Sequence, residues 1–131
     1  MDLESRVNKK SVILWSQIQM SETHISVGFV DPKLQHDFLK LKSGSTQDKE
    51  LYEFIDRATD DLKKDPSCGI KIPKSRWPKG YIKKFGVTNL WKYDLPNAWR
   101  LIYTIAGNKI QILAIVLEWM THKDYERRFN Y

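Results

Sequence analysis

The sequence is poor in cysteine, in long apolar runs and in metal-binding patterns, and each shortage removes a class of protein. Its single cysteine, Cys68, excludes an internal disulfide framework and makes a reducing compartment the default. No window approaches the roughly 18 uninterrupted apolar residues of a membrane-spanning helix. The opening MDLESRVNKKSVILWSQIQM is a poor secretory signal, because acids sit among its first residues and Ser16, Gln17 and Gln19 break its apolar stretch. A cytoplasmic protein with no membrane partner is the expectation. His24, His36 and His122 are scattered, and one cysteine cannot complete a zinc site. A phosphate-cradling glycine loop and a G-x-S-x-G elbow are both missing. Metal-dependent and nucleotide-hydrolysing chemistry is therefore disfavoured, and neither a cofactor nor a metal is expected.

What is present is charge of one sign in one half. A chain of 131 residues, 41% hydrophobic and 29% charged, suits one globular domain with one core. Its net charge of +6 is unevenly spread: residues 1–70 carry 10 Lys/Arg against 12 Asp/Glu, and residues 71–131 carry 12 against 4. Between 71 and 100 stand eight basic residues (Lys71, Lys74, Arg76, Lys79, Lys83, Lys84, Lys92 and Arg100) and one acid, Asp94. Trp77, Tyr81, Phe85 and Trp91 interleave with them. Such a block suits a phosphate-binding surface with stacking platforms, although a solvated basic loop has the same composition.

Residues 1–23 are set apart as an extension of unknown role, with a short strand or helix at Ser11–Met20, and 24–131 as a single domain. ISVGFV, Ile25 to Val30, is a candidate strand. Asp31 and Pro32 then start a short helix to about Lys42. Ser45 or Thr46 caps a longer helix to Lys64, whose Leu51, Phe54, Ile55, Ala58 and Leu62 make one apolar stripe. Asp65-Pro66 closes it. Residues 67–89 read as a basic loop with a short helix or strand at 80–85. Trp91 to Leu95 alternates as a strand, Pro96-Asn97 turns, and Ala98 to Ile105 forms the next strand, with Trp99, Leu101 and Tyr103 on one face. Ala106 to Lys109 is a hairpin turn. The nearly continuous apolar run from Ile110 to Trp119 is expected as the central, doubly covered strand. The class is α+β: two antiparallel helices packed on a small, mainly antiparallel sheet of three to four strands.

Arg100 lies on a strand otherwise suited to burial, so its charge must be paired or open to a cleft. Asp94 across the hairpin is the available partner, and pairing and a cleft are compatible. His122, just past the last strand, is followed by Lys123, Asp124, Tyr125, Arg127 and Arg128. A lone histidine there is commonly a helix-cap residue. A histidine beside a tyrosine and several guanidiniums is also what metal-free phosphodiester cleavage uses. That chemistry needs a proton acceptor for the 2′-hydroxyl, a donor for the leaving 5′-oxygen, and fixed positive charge for the phosphorane-like state.

LWKYDLPNAWRLIYTI, a turn, and IQILAIVLEWMTHKDYERRF resemble the RelE/ParE toxin superfamily of type II toxin–antitoxin systems. More narrowly they resemble the RelE-like mRNA interferases, several of which end in a His-x-x-Tyr or similar tail. The resemblance covers the element order from about Ile25 onward, and its specific part is residues 90–128. It implies a RelE-like fold and a hydrolase, a metal-independent endoribonuclease that cleaves mRNA in the ribosomal A site and is inhibited by a cognate antitoxin. By position, Arg100 matches the strand arginine that stabilises the scissile phosphate. His122 or Tyr125 matches the C-terminal acid/base or base-stacking residue, and Lys92 matches the basic position on the preceding strand. Lys74, Arg76, Lys79, Lys83, Lys84, Lys123, Arg127 and Arg128 would bind RNA around them. There are departures. RelE proper has two lysines where this chain has Lys92 and then Tyr93 or Asp94, and the glutamate base of some members would fall near Tyr81, where no acid stands. The base is left among His122, Asp94 and a lysine of depressed pKa. Two alternatives are a ParE-like gyrase-binding toxin without nuclease activity and a non-enzymatic basic nucleic-acid-binding module. ParE-like chains typically lack the His122, Tyr125 and Arg127 set, which favours the nuclease.

Overall fold

The computed structural model describes residues 23–131, so the expected extension, with its strand or helix at 11–20, lies outside the described residues except for Thr23. Strand β1 (His24–Phe29) leads to Asp31, whose carboxylate accepts the Leu34 N–H at 2.8 Å and caps α1 (Pro32–Lys40). Pro32 stands where its missing N–H costs nothing. A 3₁₀ turn (Leu41–Ser43) follows, and Ser45 and Asp48 then form a capping box, each side chain accepting the other's N–H at 3.1 Å. That box opens α2 (Thr46–Lys64), along which Leu51, Ile55, Ala58 and Leu62 are buried as one stripe.

The remaining elements are 3₁₀ turns at Pro66–Cys68 and Lys74–Arg76, β2 (Ile70–Lys71), α3 (Tyr81–Phe85), β3 (Trp91–Leu95), β4 (Trp99–Gly107), β5 (Gln111–Thr121) and α4 (His122–Arg128). The described residues thus form an α+β structure with a five-stranded mixed sheet, ordered β1-β5-β4-β3-β2, and four α-helices. Only β1 and β5 pair in parallel. The sheet is mainly antiparallel, as expected, with three of its four pairings antiparallel; the expected three to four strands and two helices are corrected to five and four. The parallel pair joins residues 24–29 to 111–116, a match between distant segments that no local pattern announces. Strand β2 has two residues, both exposed, and is too short to show any period. The central strand is β4, with β5 one place beside it.

Helices α1 and α2 cover one face, packing Phe38, Leu51, Ile55 and Leu62 on Leu101, Tyr103, Ala114 and Val116. The sheet's other face carries a second layer. Ile72, Tyr81, Leu90, Tyr125 and Phe129 pack there on Ile102, Leu117 and Met120. Helix α3 falls where a short helix or strand was expected at 80–85; it has only five residues, bracketed by Gly80 (φ 86) and Gly86 (φ 65), whose left-handed backbone suits glycine.

Strand β5 contains a bulge. Ile102 pairs with Glu118 but Tyr103 pairs with Val116, so Leu117 is the extra residue. Strict alternation would send Glu118 to the α1/α2 face with Ala114 and Val116. The bulge returns it to the face of Leu117 and Met120, where both carboxylate oxygens accept from the two Arg128 Nη groups at 3.0 and 3.1 Å. That fork, with buried Tyr125 and Phe129, fastens α4 to the sheet. Among the described residues no helix is long and apolar enough to cross a membrane.

Candidate phosphate-binding face

Alternation along β3 sends Trp91, Tyr93 and Leu95 toward α1 and α2 and leaves Lys92 and Asp94 on the α4 side. The tight link to β4, with Asn97 and Ala98 at φ 58 and 61, sets Asp94 directly opposite Arg100. Asp94 Oδ1 accepts from Lys92 Nζ at 2.7 Å and lies 3.0 Å from Arg100 Nε. The Arg100 contact is one of charge, since Nε lacks hydrogen-bond geometry there, while Nη1 donates to the Trp99 carbonyl at 2.9 Å. Two cations therefore share one carboxylate, which leaves an excess positive charge on the patch. The Lys92 and Arg100 side chains are 16% and 15% exposed and Asp94 is 47% exposed, so the carboxylate is the member nearest solvent.

Helix α4 brings the other two expected residues to this corner. The His122 N–H donates to the Ala98 carbonyl at 2.6 Å, tying the helix start to the β3–β4 turn, and Thr121 caps it by accepting from Asp124 N–H. His122 Nε2 lies 3.0 Å from Glu126 Oε2, and its Nδ1 is buried without a partner. Lys92 Nζ sits 5.7 Å from the centroid of the Tyr125 ring, within cation–π range. Tyr125 in turn stacks on Phe129 and Tyr131, with centroids 4.7 and 5.4 Å away. Its hydroxyl is buried and makes no hydrogen bond, with Tyr131 alongside but out of hydrogen-bond geometry. Burial, before the influence of Tyr131 and Asp94, holds the phenol well above its ordinary range, so it stays neutral. Arg100, Lys92, His122 and Tyr125 are thus brought to one corner of the sheet.

The basic residues expected around them divide into two groups. Arg76 and Arg128 are engaged within the protein: Arg76 donates to the Asn130 carbonyl and lies 4.3 Å from the Tyr131 ring centroid, and Arg128 holds Glu118. Arg127 is 73% exposed beside Asp124, and Lys123 is exposed. Lys74, Lys79 and Lys83 line an open depression of about 410 Å³ with Trp77, while Lys84 sits over the Phe85 ring. Of the four aromatics in the basic block, Trp77 lines this depression. Tyr81 is buried, Phe85 packs beside it, and Trp91 packs against the α1/α2 layer.

One organising residue went unnoticed in the sequence. Asn89 Nδ2 donates to the Ile105 carbonyl at 2.8 Å, and its Oδ1 accepts from Ile105 N–H at 2.9 Å and Trp91 Nε1 at 3.0 Å. The amide acts as a substitute ladder residue beside β4, and the only local hint was a polar residue before a tryptophan strand. Cys68 is exposed, and burial followed by the Asp65 and Asp61 charges raises its thiol pKa. Among the described residues no three His, Cys, Asp or Glu side chains converge as a metal site would require. Compared with protein-family models, curated proteins and solved structures, the chain finds no match.

Proposed function

We propose that this protein is the toxin of a type II toxin–antitoxin system, a RelE-like, metal-independent endoribonuclease acting in the cytoplasm on mRNA at the ribosome and held in check by a cognate antitoxin. The observation that carries the reading is the grouping of Lys92 and Arg100, both nearly buried, with His122 and Tyr125 at one corner of the sheet. A scissile phosphate docking beside Asp94 would meet two largely buried cations fixed in advance of the reaction, which is what stabilises charge that develops in the transition state. In the reaction the 2′-oxygen loses its proton to a base and forms a bond to phosphorus. The bond from phosphorus to the 5′-oxygen breaks and that oxygen takes a proton, leaving a 2′,3′-cyclic phosphate and a 5′-hydroxyl. His122 and Asp94 are the accessible proton carriers. Tyr125, with its hydroxyl buried, serves as the ring on which Lys92 rests.

The test is expression toxicity together with mRNA cleavage on translating ribosomes. Removing one phosphate-stabilising group should cost roughly 10²- to 10³-fold, so Arg100→Ala should relieve toxicity, and Arg100→Ala with His122→Ala should abolish cleavage. Retention of both by the double variant would sink the site assignment. Gyrase-linked DNA damage with intact mRNA would favour the ParE-like alternative instead.

A further inference from the structure

We propose that the surface between Lys71 and Lys83 is a groove for single-stranded RNA, in which the Trp77 indole separates two nucleotide-sized subsites. Trp77 lines two depressions. One, of about 410 Å³, is bounded by Lys74, Pro78, Lys79, Ile82 and Lys83. The other, of about 380 Å³, is bounded by Lys71, Ile72, Pro73, Thr88 and Asn89. Each lies toward the lower end of the range of roughly 300–1,000 Å³ typical of small-ligand sites. Neither has an acidic residue in its lining, whereas four exposed lysines, Lys71, Lys74, Lys79 and Lys83, stand around the pair.

The indole is held in place rather than free to swing. Its Nε1–H donates to the Ile72 carbonyl at 3.0 Å, its own backbone N–H donates to the Lys74 carbonyl at 3.1 Å, and it packs against the α4-side core. Lys74 Nζ lies 5.9 Å from its centroid. A fixed aromatic plane with lysines on both sides and no acid is what an unpaired strand needs: stacking for bases and positive charge for phosphates. A duplex hides its base faces and gains nothing from the indole. Arg76 and Lys84 of the same segment are not counted in the groove, because Arg76 is committed to Asn130 and Tyr131 and Lys84 to Phe85.

The choice of RNA over DNA rests on the function proposed above, but the groove's existence is tested apart from cleavage. Binding of a fluorescein-labelled octauridylate to the full chain would be followed by anisotropy between 0.05 and 0.3 M salt. Four phosphate contacts at about 0.7 each give a log–log salt slope near −3. Lys74→Gln with Lys83→Gln should lower that slope by about 1.4 and leave the far-UV spectrum intact. Trp77→Ala should weaken binding about 10- to 100-fold and Trp77→Phe much less, as expected for stacking. Arg100→Ala, which cripples the proposed cleavage at the other site, should weaken binding of the octauridylate less than Trp77→Ala does. An unchanged slope in the lysine variant overturns the proposal, as does equal affinity for an RNA duplex. Loss of binding in Arg100→Ala also overturns it, by moving the strand to the other site. Groove binding by the unaltered protein without any mRNA cleavage would count against the nuclease alone.

Discussion

Replacing Tyr125 with phenylalanine should stabilise the protein and leave its cleavage rate nearly unchanged. The side chain is 3% exposed, and its hydroxyl is buried with no hydrogen-bond partner. A buried hydroxyl left unsatisfied costs about 1–3 kcal/mol, a cost that removing the oxygen would relieve. The ring, which carries the packing on Phe129 and the cation–π contact with Lys92, is kept. Allowing for weak polar contact with Tyr131, the expected gain is about 1 kcal/mol, or about 4 °C in Tm for a domain of this size. Thermal and urea unfolding followed by circular dichroism would measure it, and Tyr125→Ala should lose about 3–5 kcal/mol by leaving a cavity. A fall in Tm for Tyr125→Phe would refute the reasoning, because it would mean that the hydroxyl has a real partner. A hundredfold loss of cleavage with Tm raised would instead make the hydroxyl a proton donor, against the positioning role given to it here.

Three further outcomes are expected. Gly69→Ala would set a Cβ 2.5 Å from the Lys92 carbonyl and 2.6 Å from the Tyr103 hydroxyl, so it should cost about 1–3 kcal/mol by overpacking. Because the strand that must give way carries Lys92, phosphate affinity should fall as well, as calorimetric titration with a phosphodiester would show. Asn89→Ala should cost roughly 2–3 kcal/mol in urea unfolding, since it orphans Ile105 N–H and C=O and the Trp91 indole together. Alkaline stability follows from Tyr93, which burial and then its hydrogen bond to Asp61 push up to about 12 from 10.0. The unfolded chain gives up that proton first, so stability is intact below pH 10 and falls between about pH 10 and 12. In Tyr93→Phe the urea midpoint should decline less steeply across that window.

The sequence by itself determined the elements that obey a local period or a local cap. The stripe from Leu51 to Leu62, the caps at Asp31 and Ser45, and the alternation from Trp91 to Leu95 each depend on neighbours a few residues away, so they could be read directly. The pairing of Asp94 with Arg100 was legible for the same reason, since a short turn joins their strands. Tertiary structure alone decided the rest. The parallel pairing of β1 with β5 depends on contact between segments more than eighty residues apart. The second layer on the α4 side is built from a five-residue helix and irregular chain that carry no period. The bulge at Leu117 reversed the face of Glu118 and so turned Arg128 from a candidate RNA contact into an anchor of α4. Charge was the least readable feature of all: composition counts a lysine or arginine the same whether it is exposed beside Trp77 or folded onto Asn130, and only the packed chain separates the two.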